Sequence, residues 1–183
     1  ANLNEKLTRL EAVTNQVLEL DAATATAEAY RVLYQSLSCS TAETVVSSER
    51  ILAGVRGVSA SLHPAIACEK LIDFGEAALV RHDTSLVAQV CGEVDGRLGG
   101  VRDDMKVAVL TRYARFLSRA GQDAKGRSNL EAAEGLLDAP SLLKAELPLA
   151  LARIGAAWQD VGVPDAARAC YRKALRALAG LAN

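Results

Sequence analysis

Aromatic residues are scarce in this chain, at 4% of 183 residues, although half of the residues are hydrophobic. Strands draw on β-branched and aromatic side chains, so a core filled mainly by Ala, Leu and Val points away from sheets and towards closely packed helices. No run of about 18 apolar residues occurs, so the sequence holds no membrane-spanning helix. An excess of charge is lacking too: 21 basic residues face 22 acidic ones, a net charge of −1. No whole-molecule field gathers nucleic acid or an anionic membrane, and charge-based binding must come from local segregation. Methionine occurs once, at Met105, so an N-terminus at Ala1 reads as processed or truncated. Compartment stays open, with the cytoplasm favoured over export after removal of a leader.

Paired cysteines are also missing. Cys39, Cys68, Cys91 and Cys170 are far apart, without a CxxC, so neither a zinc site nor a thioredoxin-type motif is suggested. Each sits among apolar residues, where cysteine behaves as a small hydrophobe, and the four are read as core, with two disulfides left open for an exported protein. No HExxH, Walker loop, dinucleotide-binding glycine fingerprint or GxSxG elbow is present. The two histidines fall at ordinary surface positions, His63 before a helix-starting proline and His82 in a turn. A catalytic pair of Cys68 or Cys91 with His82 needs an electropositive setting, which Asp73, Glu76 and Asp83 oppose. The reading is non-enzymatic, with no cofactor and no metal.

What is present is helical periodicity from end to end. Leu3, Leu7, Leu10, Val13 and Val17 give an amphipathic helix over residues 2–20, read as an end cap in preference to a coiled coil. A second helix is expected from about Thr24 to Leu37, and Ser40 to Glu43 form a capping box for a third, running to about Val58. Pro64 opens a fourth, to about Arg81, and Asp83–Thr84 caps a fifth, which ends at Gly99–Gly100, the plainest hinge. A sixth starts at Asp103 or Asp104, and Gly121 to Asp123 turns into a seventh, which ends at Asp138 to Pro140. An eighth begins afresh at Pro148, and Gly162 to Pro164 turns into the last. The expectation is an all-α fold of about nine helices forming one domain over 1–183.

The C-terminal helices carry a repeat. Leu151, Ile154, Gly155, Trp158, Gly162, Ala167, Tyr171 and Ala174 stand at spacings that bring two antiparallel helices close at Gly155 and Ala167, turn the chain at Gly162 and fill the gaps with Trp158 and Tyr171. This segment, about 148–181, resembles a tetratricopeptide repeat, with Ala179 where the usual proline stands. The same register matches Leu110, Tyr113, Ala114, Leu117, Gly121, Gly126, Leu130 and Ala133, with Gly126 in place of the usual alanine. An earlier copy keeps Leu71, Phe74, Gly75 and Ala78, while His82 replaces the turn glycine and Cys91 the aromatic. The turn positions recur after 39 and 41 residues, longer than the roughly 34 of the family. Residues 1–63 share only the helical period.

The resemblance implies a right-handed superhelix of antiparallel helix pairs, and a concave groove lined by the first helix of each pair that takes a peptide or helix of a protein partner. By register, Arg112, Arg115, Arg119 and Arg153 fall on the groove side at one end and Glu69, Asp73 and Glu76 at the other. The row Arg112, Arg115, Arg119 suits carboxylates or phosphates of a partner, or else forms a solvated face. The Lys and Asn positions of the carboxylate-clamping members hold Thr111, Arg115, Ala152 and Ala156, so that chaperone-type role is not implied. The function expected is a protein-interaction scaffold, with homo-oligomerisation through an end helix as the alternative. Abundant Ala and a preference for Arg over Lys are compatible with a bacterial source.

Overall fold

The computed structural model describes residue 8 and residues 20–35, 42–138 and 143–181. The amphipathic segment at 2–20, Cys39 and the Ser40 capping box lie largely or wholly outside them. Among the described residues the chain is all-helical, with eight helices: α1 (Leu20–Gln35), α2 (Ala42–Ser59), α3 (Pro64–Val80), α4 (Thr84–Leu98), α5 (Asp103–Arg119), α6 (Asp123–Gly135), α7 (Leu147–Asp160) and α8 (Pro164–Leu181). None is long and apolar enough to cross a membrane. Helix α1 already includes Leu20, four residues before the expected Thr24. Helix α6 stops at Gly135, before the expected Asp138, and a turn follows.

Backbone contacts divide the chain into two compact units, Ala1–Gly99 and Gly100–Asn183, parted at the paired glycines. In the first, α1 packs on α2 and α3, α2 touches α3, and α3 packs on α4. In the second, α5 packs on α6 and α7, α6 touches α7, and α7 packs on α8. The order of contacts is the same in both. Tyr30, Ile51, Leu52, Leu71, Ile72 and Phe74 fill the core of the first unit. Tyr113, Phe116, Leu117, Leu130, Ile154 and Trp158 fill that of the second, with the Tyr113 and Phe116 rings stacked at 6.2 Å.

Three helix pairs turn in the same way. After α3 the His82 N–H donates to the Leu79 carbonyl at 3.0 Å and the Asp83 N–H to Ala78 at 3.0 Å. After α5 the Gly121 N–H donates to Ser118 at 2.9 Å and Gln122 to Leu117 at 2.8 Å, and after α7 Gly162 donates to Gln159 at 3.1 Å and Val163 to Trp158 at 2.9 Å. This is the Schellman closure, which satisfies two orphan carbonyls and requires a left-handed residue at its centre. That residue is Gly121 (φ 75°), Gly162 (φ 79°) and, in the first unit, His82 (φ 57°). A side chain in the left-handed region costs about 1–2 kcal/mol, of which the greater chain entropy of unfolded glycine returns about 0.4–1. His82→Gly is therefore expected to stabilise the chain by about 0.5–1 kcal/mol, read as a higher urea midpoint at unchanged slope.

The two close approaches have separate causes. A Cβ on Gly155 would stand 2.9 Å from Cε1 of Tyr171, so the glycine makes room for a ring that lies half-buried across α7. A Cβ on Gly126 would stand 3.0 Å from the carbonyl oxygen of Ala114, a backbone atom that cannot swing aside. Glycine at 126 instead of the alanine implied by the resemblance thus has a steric reason: α6 crosses α5 at backbone distance. In the first unit Tyr30 plays the ring's part, lying over Gly54 of α2.

Candidate functional site

Of the seven charged residues picked from the sequence, three belong to α3 and four to α5 and α7, and so to different units. In the first unit Glu69, Asp73 and Glu76 are all half-buried. Asp73 pairs with Lys70 at 3.4 Å, and the charges of Asp73 and Glu76 act on Arg31 of α1. Arg31 is also bound by Glu28, and this hydrogen bond, more than the surrounding acids, holds the guanidinium charged and draws the Glu28 carboxyl below its usual range. Asp73 and Glu76 are therefore engaged with a helix of their own unit.

In the second unit the arginines part company. Arg115 reaches the end of α7, its Nε donating to the Asp160 carboxylate at 2.5 Å. Arg119 is exposed in the last turn of α5, where positive charge complements the helix C-terminus. Arg112 is half-buried on the same helix. Arg153 lies elsewhere, in a cleft between α5 and α7.

That cleft is the candidate site. Its volume is about 150 Å³, and it is lined by Asp104, Val107, Ala108 and Thr111 of α5 with Ala150, Leu149, Arg153 and the preceding Glu146 of α7. Small side chains at Ala108, Thr111 and Ala150 leave the space. Thr111 is buried with its hydroxyl donating to the Val107 carbonyl at 2.6 Å, so its proton is spent within the helix. Leu149 keeps 54% of its surface open to solvent. Both walls come from the early turns of their helices, Asp104 to Thr111 on α5 and Glu146 to Arg153 on α7. The α7 wall is one helical face, Glu146, Leu149, Ala150 and Arg153 at i, i+3, i+4 and i+7.

The wall is polarised. Glu146 occupies the cap position of α7 without using its carboxylate as a cap, and among the described residues neither it nor Arg153 has an ion-pair partner. Asp104 of the α5 wall is a second acid, paired with Arg102 at 2.7 Å on the exposed surface. Of these lining residues the sequence reading had placed Arg153 on the groove and Thr111 at a clamp position. Asp104, Val107, Ala108, Glu146, Leu149 and Ala150 were missed, although the i, i+3, i+4, i+7 row on α7 could have signalled its face.

The thiols are ill suited to nucleophilic chemistry. Cys68, Cys91 and Cys170 are all buried. Burial pushes the Cys68 thiol up to about 11, with Glu69 adding to the effect and Arg97 opposing it. Burial likewise pushes Cys170 up to about 11, helped by the charge of Glu134 and a hydrogen bond to it. His63 is half-buried and caps α3, its Nδ1 accepting the Ala65 N–H at 3.3 Å. Among the described residues no three His, Cys, Asp or Glu side chains converge as metal ligands would.

A residue outside the predicted set ties the second unit together. Glu134 of α6 accepts the Trp158 indole N–H of α7 at 2.7 Å and an ammonium hydrogen of Lys173 of α8 at 3.4 Å. Trp158, read from the sequence as core, is 5% exposed; its ring is packed and its one polar atom is satisfied. Comparison with protein-family models, curated proteins and solved structures returns no match for this chain.

Proposed function

We propose that the chain is a non-enzymatic, tetratricopeptide-like interaction module and that the α5/α7 cleft receives an extended segment of a protein partner. The observation that carries this reading is the cleft itself, where an exposed leucine and unpaired charges of both signs line a depression too small for a drug-sized ligand, which needs roughly 300–1,000 Å³. At about 150 Å³ it matches a cavity that takes one benzene-sized group, such as a single apolar side chain. The common turn geometry at His82, Gly121 and Gly162 and the shared order of helix contacts support the tetratricopeptide-like reading. The raised Cys68 and Cys170 thiols favour binding over catalysis.

Self-association is the weaker reading. Leu175, Leu178 and Leu181 of α8 are exposed and would suit a helix–helix contact. Arg168, Arg172 and Arg176 share that helix and are exposed as well, so a symmetric contact would bring like charges to one interface.

The test is selection of a displayed random-peptide library on the wild-type chain, followed by affinities for Ala108→Leu, which fills the cleft, and Leu149→Glu, which charges its apolar wall. Both positions are exposed, so folding should survive, as circular dichroism would verify. Selected peptides are expected to lose at least about tenfold in affinity, or 1.4 kcal/mol. Peptides that bind both variants as they bind wild type, or a selection that enriches nothing, would overturn the proposal.

A further inference from the structure

We infer that the cleft selects its peptide by charge order: a five-residue extended segment with an apolar side chain at its centre, a basic residue at one end and an acidic residue at the other. The inference rests on the peptide-binding reading above and assigns its specificity.

The α7 wall presents, in order, an acid, an apolar step and a base: Glu146, Leu149 with Ala150, and Arg153. Glu146 and Arg153 are seven residues apart, two turns or roughly 10.5 Å along the axis. Helix charges pair at i, i+3 or i, i+4, so these two are too far apart to neutralise one another across the leucine. Asp104 of α5 also lines the cleft, but its charge is met by Arg102 at 2.7 Å, so Glu146 is the unpaired acid of the lining. The remaining α5 residues of the lining, Val107, Ala108 and Thr111, carry no charge. The next acid along α7, Asp160, is taken by Arg115.

In an extended peptide every second side chain faces the same way, spaced at roughly 6.6–6.8 Å. Three side chains facing the cleft therefore belong to residues k, k+2 and k+4 and span about 13 Å. That length matches the separation of the two wall charges once the reach of an arginine is added. The central side chain sits over Ala108 and Ala150, its basic neighbour meets the Glu146 carboxylate, and its acidic neighbour meets the Arg153 guanidinium. A guanidinium can grip that carboxylate through two parallel hydrogen bonds.

The experiment titrates the isotope-labelled full chain, observed by amide NMR, with end-blocked pentapeptides. The probes are Lys-Ser-Leu-Ser-Asp and Asp-Ser-Leu-Ser-Lys, with Lys-Ser-Leu-Ser-Lys, Asp-Ser-Leu-Ser-Asp and Lys-Ser-Ser-Ser-Asp as controls. One of the mixed-charge peptides is expected to shift amides across 104–111 and 146–153 saturably. It should bind about fivefold more tightly than either like-charged peptide, as one exposed ion pair allows. Loss of the central leucine should abolish the shifts. Arg153→Glu should reverse the preference towards the doubly basic peptide. Binding that follows the leucine but ignores the charges, or an Arg153→Glu chain with unchanged preference, overturns the charge order while leaving peptide binding intact. If neither these peptides nor those selected from the library perturb the cleft, both readings fall.

Discussion

Trp158→Ala is expected to cost the second unit about 3–5 kcal/mol, the range for removing a buried tryptophan. Two losses combine. The ring is 5% exposed and fills the space between α6 and α7, so alanine leaves a cavity that the close helix crossings cannot collapse. The Glu134 carboxylate also loses the indole N–H that it accepts at 2.7 Å, keeping only Lys173 at 3.4 Å. Glu134→Leu separates the terms by keeping the ring and removing the acceptor, which leaves a buried indole N–H unsatisfied at about 1–3 kcal/mol. Urea unfolding followed by circular dichroism measures both variants. Because Trp158 is the only tryptophan, its fluorescence in Glu134→Leu reports on the second unit alone. A Trp158→Ala chain within about 1 kcal/mol of wild type would contradict the packing described.

Much of the local structure could be read in the sequence because it depends on single residues and short spacings. Pro64, Asp83, Gly121, Gly162 and Pro164 mark helix ends where they were expected, since each acts through its own φ or its own capping atom, and Asp103 opens its helix with first-turn acidic charge. Even His82, which breaks the glycine pattern, holds the left-handed turn that its register assigns. The spacing marks Gly155 as a close approach together with Ala167, whereas the atoms nearest it are those of the Tyr171 ring.

Contacts between pairs were not legible. The Trp158–Glu134 bond joins residues 24 apart, and the Arg115–Asp160 pair joins residues 45 apart. Helical periodicity says which face a charge occupies but not which charge on another helix meets it. Arg115 and Arg153 share a predicted face and still end in different surroundings, one paired with Asp160 and the other beside the cleft. The cleft is lined by Ala108 and Ala150, 42 residues apart and on different helices. Each alanine alone looks like any other small helix former.

Alkaline pH is expected to destabilise both units, through Cys68 in the first and Cys170 in the second. Each thiol is raised from its ordinary value of 9.0 to about 11. Below pH 9 folded and unfolded chains both carry the proton, and stability does not depend on these groups. Between pH 9 and 11 the unfolded thiols ionise while the folded ones cannot, so the native state holds more protons and stability falls as pH rises. The slope reaches at most about 1.4 kcal/mol per pH unit for the thiol of each unit. Above pH 11 the folded thiols ionise too and the loss levels off. Lysine and tyrosine titrate in the same range, so the measurement is a difference: urea midpoints at pH 8, 9, 10 and 11 for wild type and for the Cys68→Ala/Cys170→Ala double variant. The variant starts lower at pH 8, because each alanine leaves a gap where a buried sulfur was. Its midpoint should fall less steeply, and the two curves should converge towards pH 11. Parallel curves would mean that the buried thiols ionise as readily in the fold as outside it, and that burial does not dominate their environment.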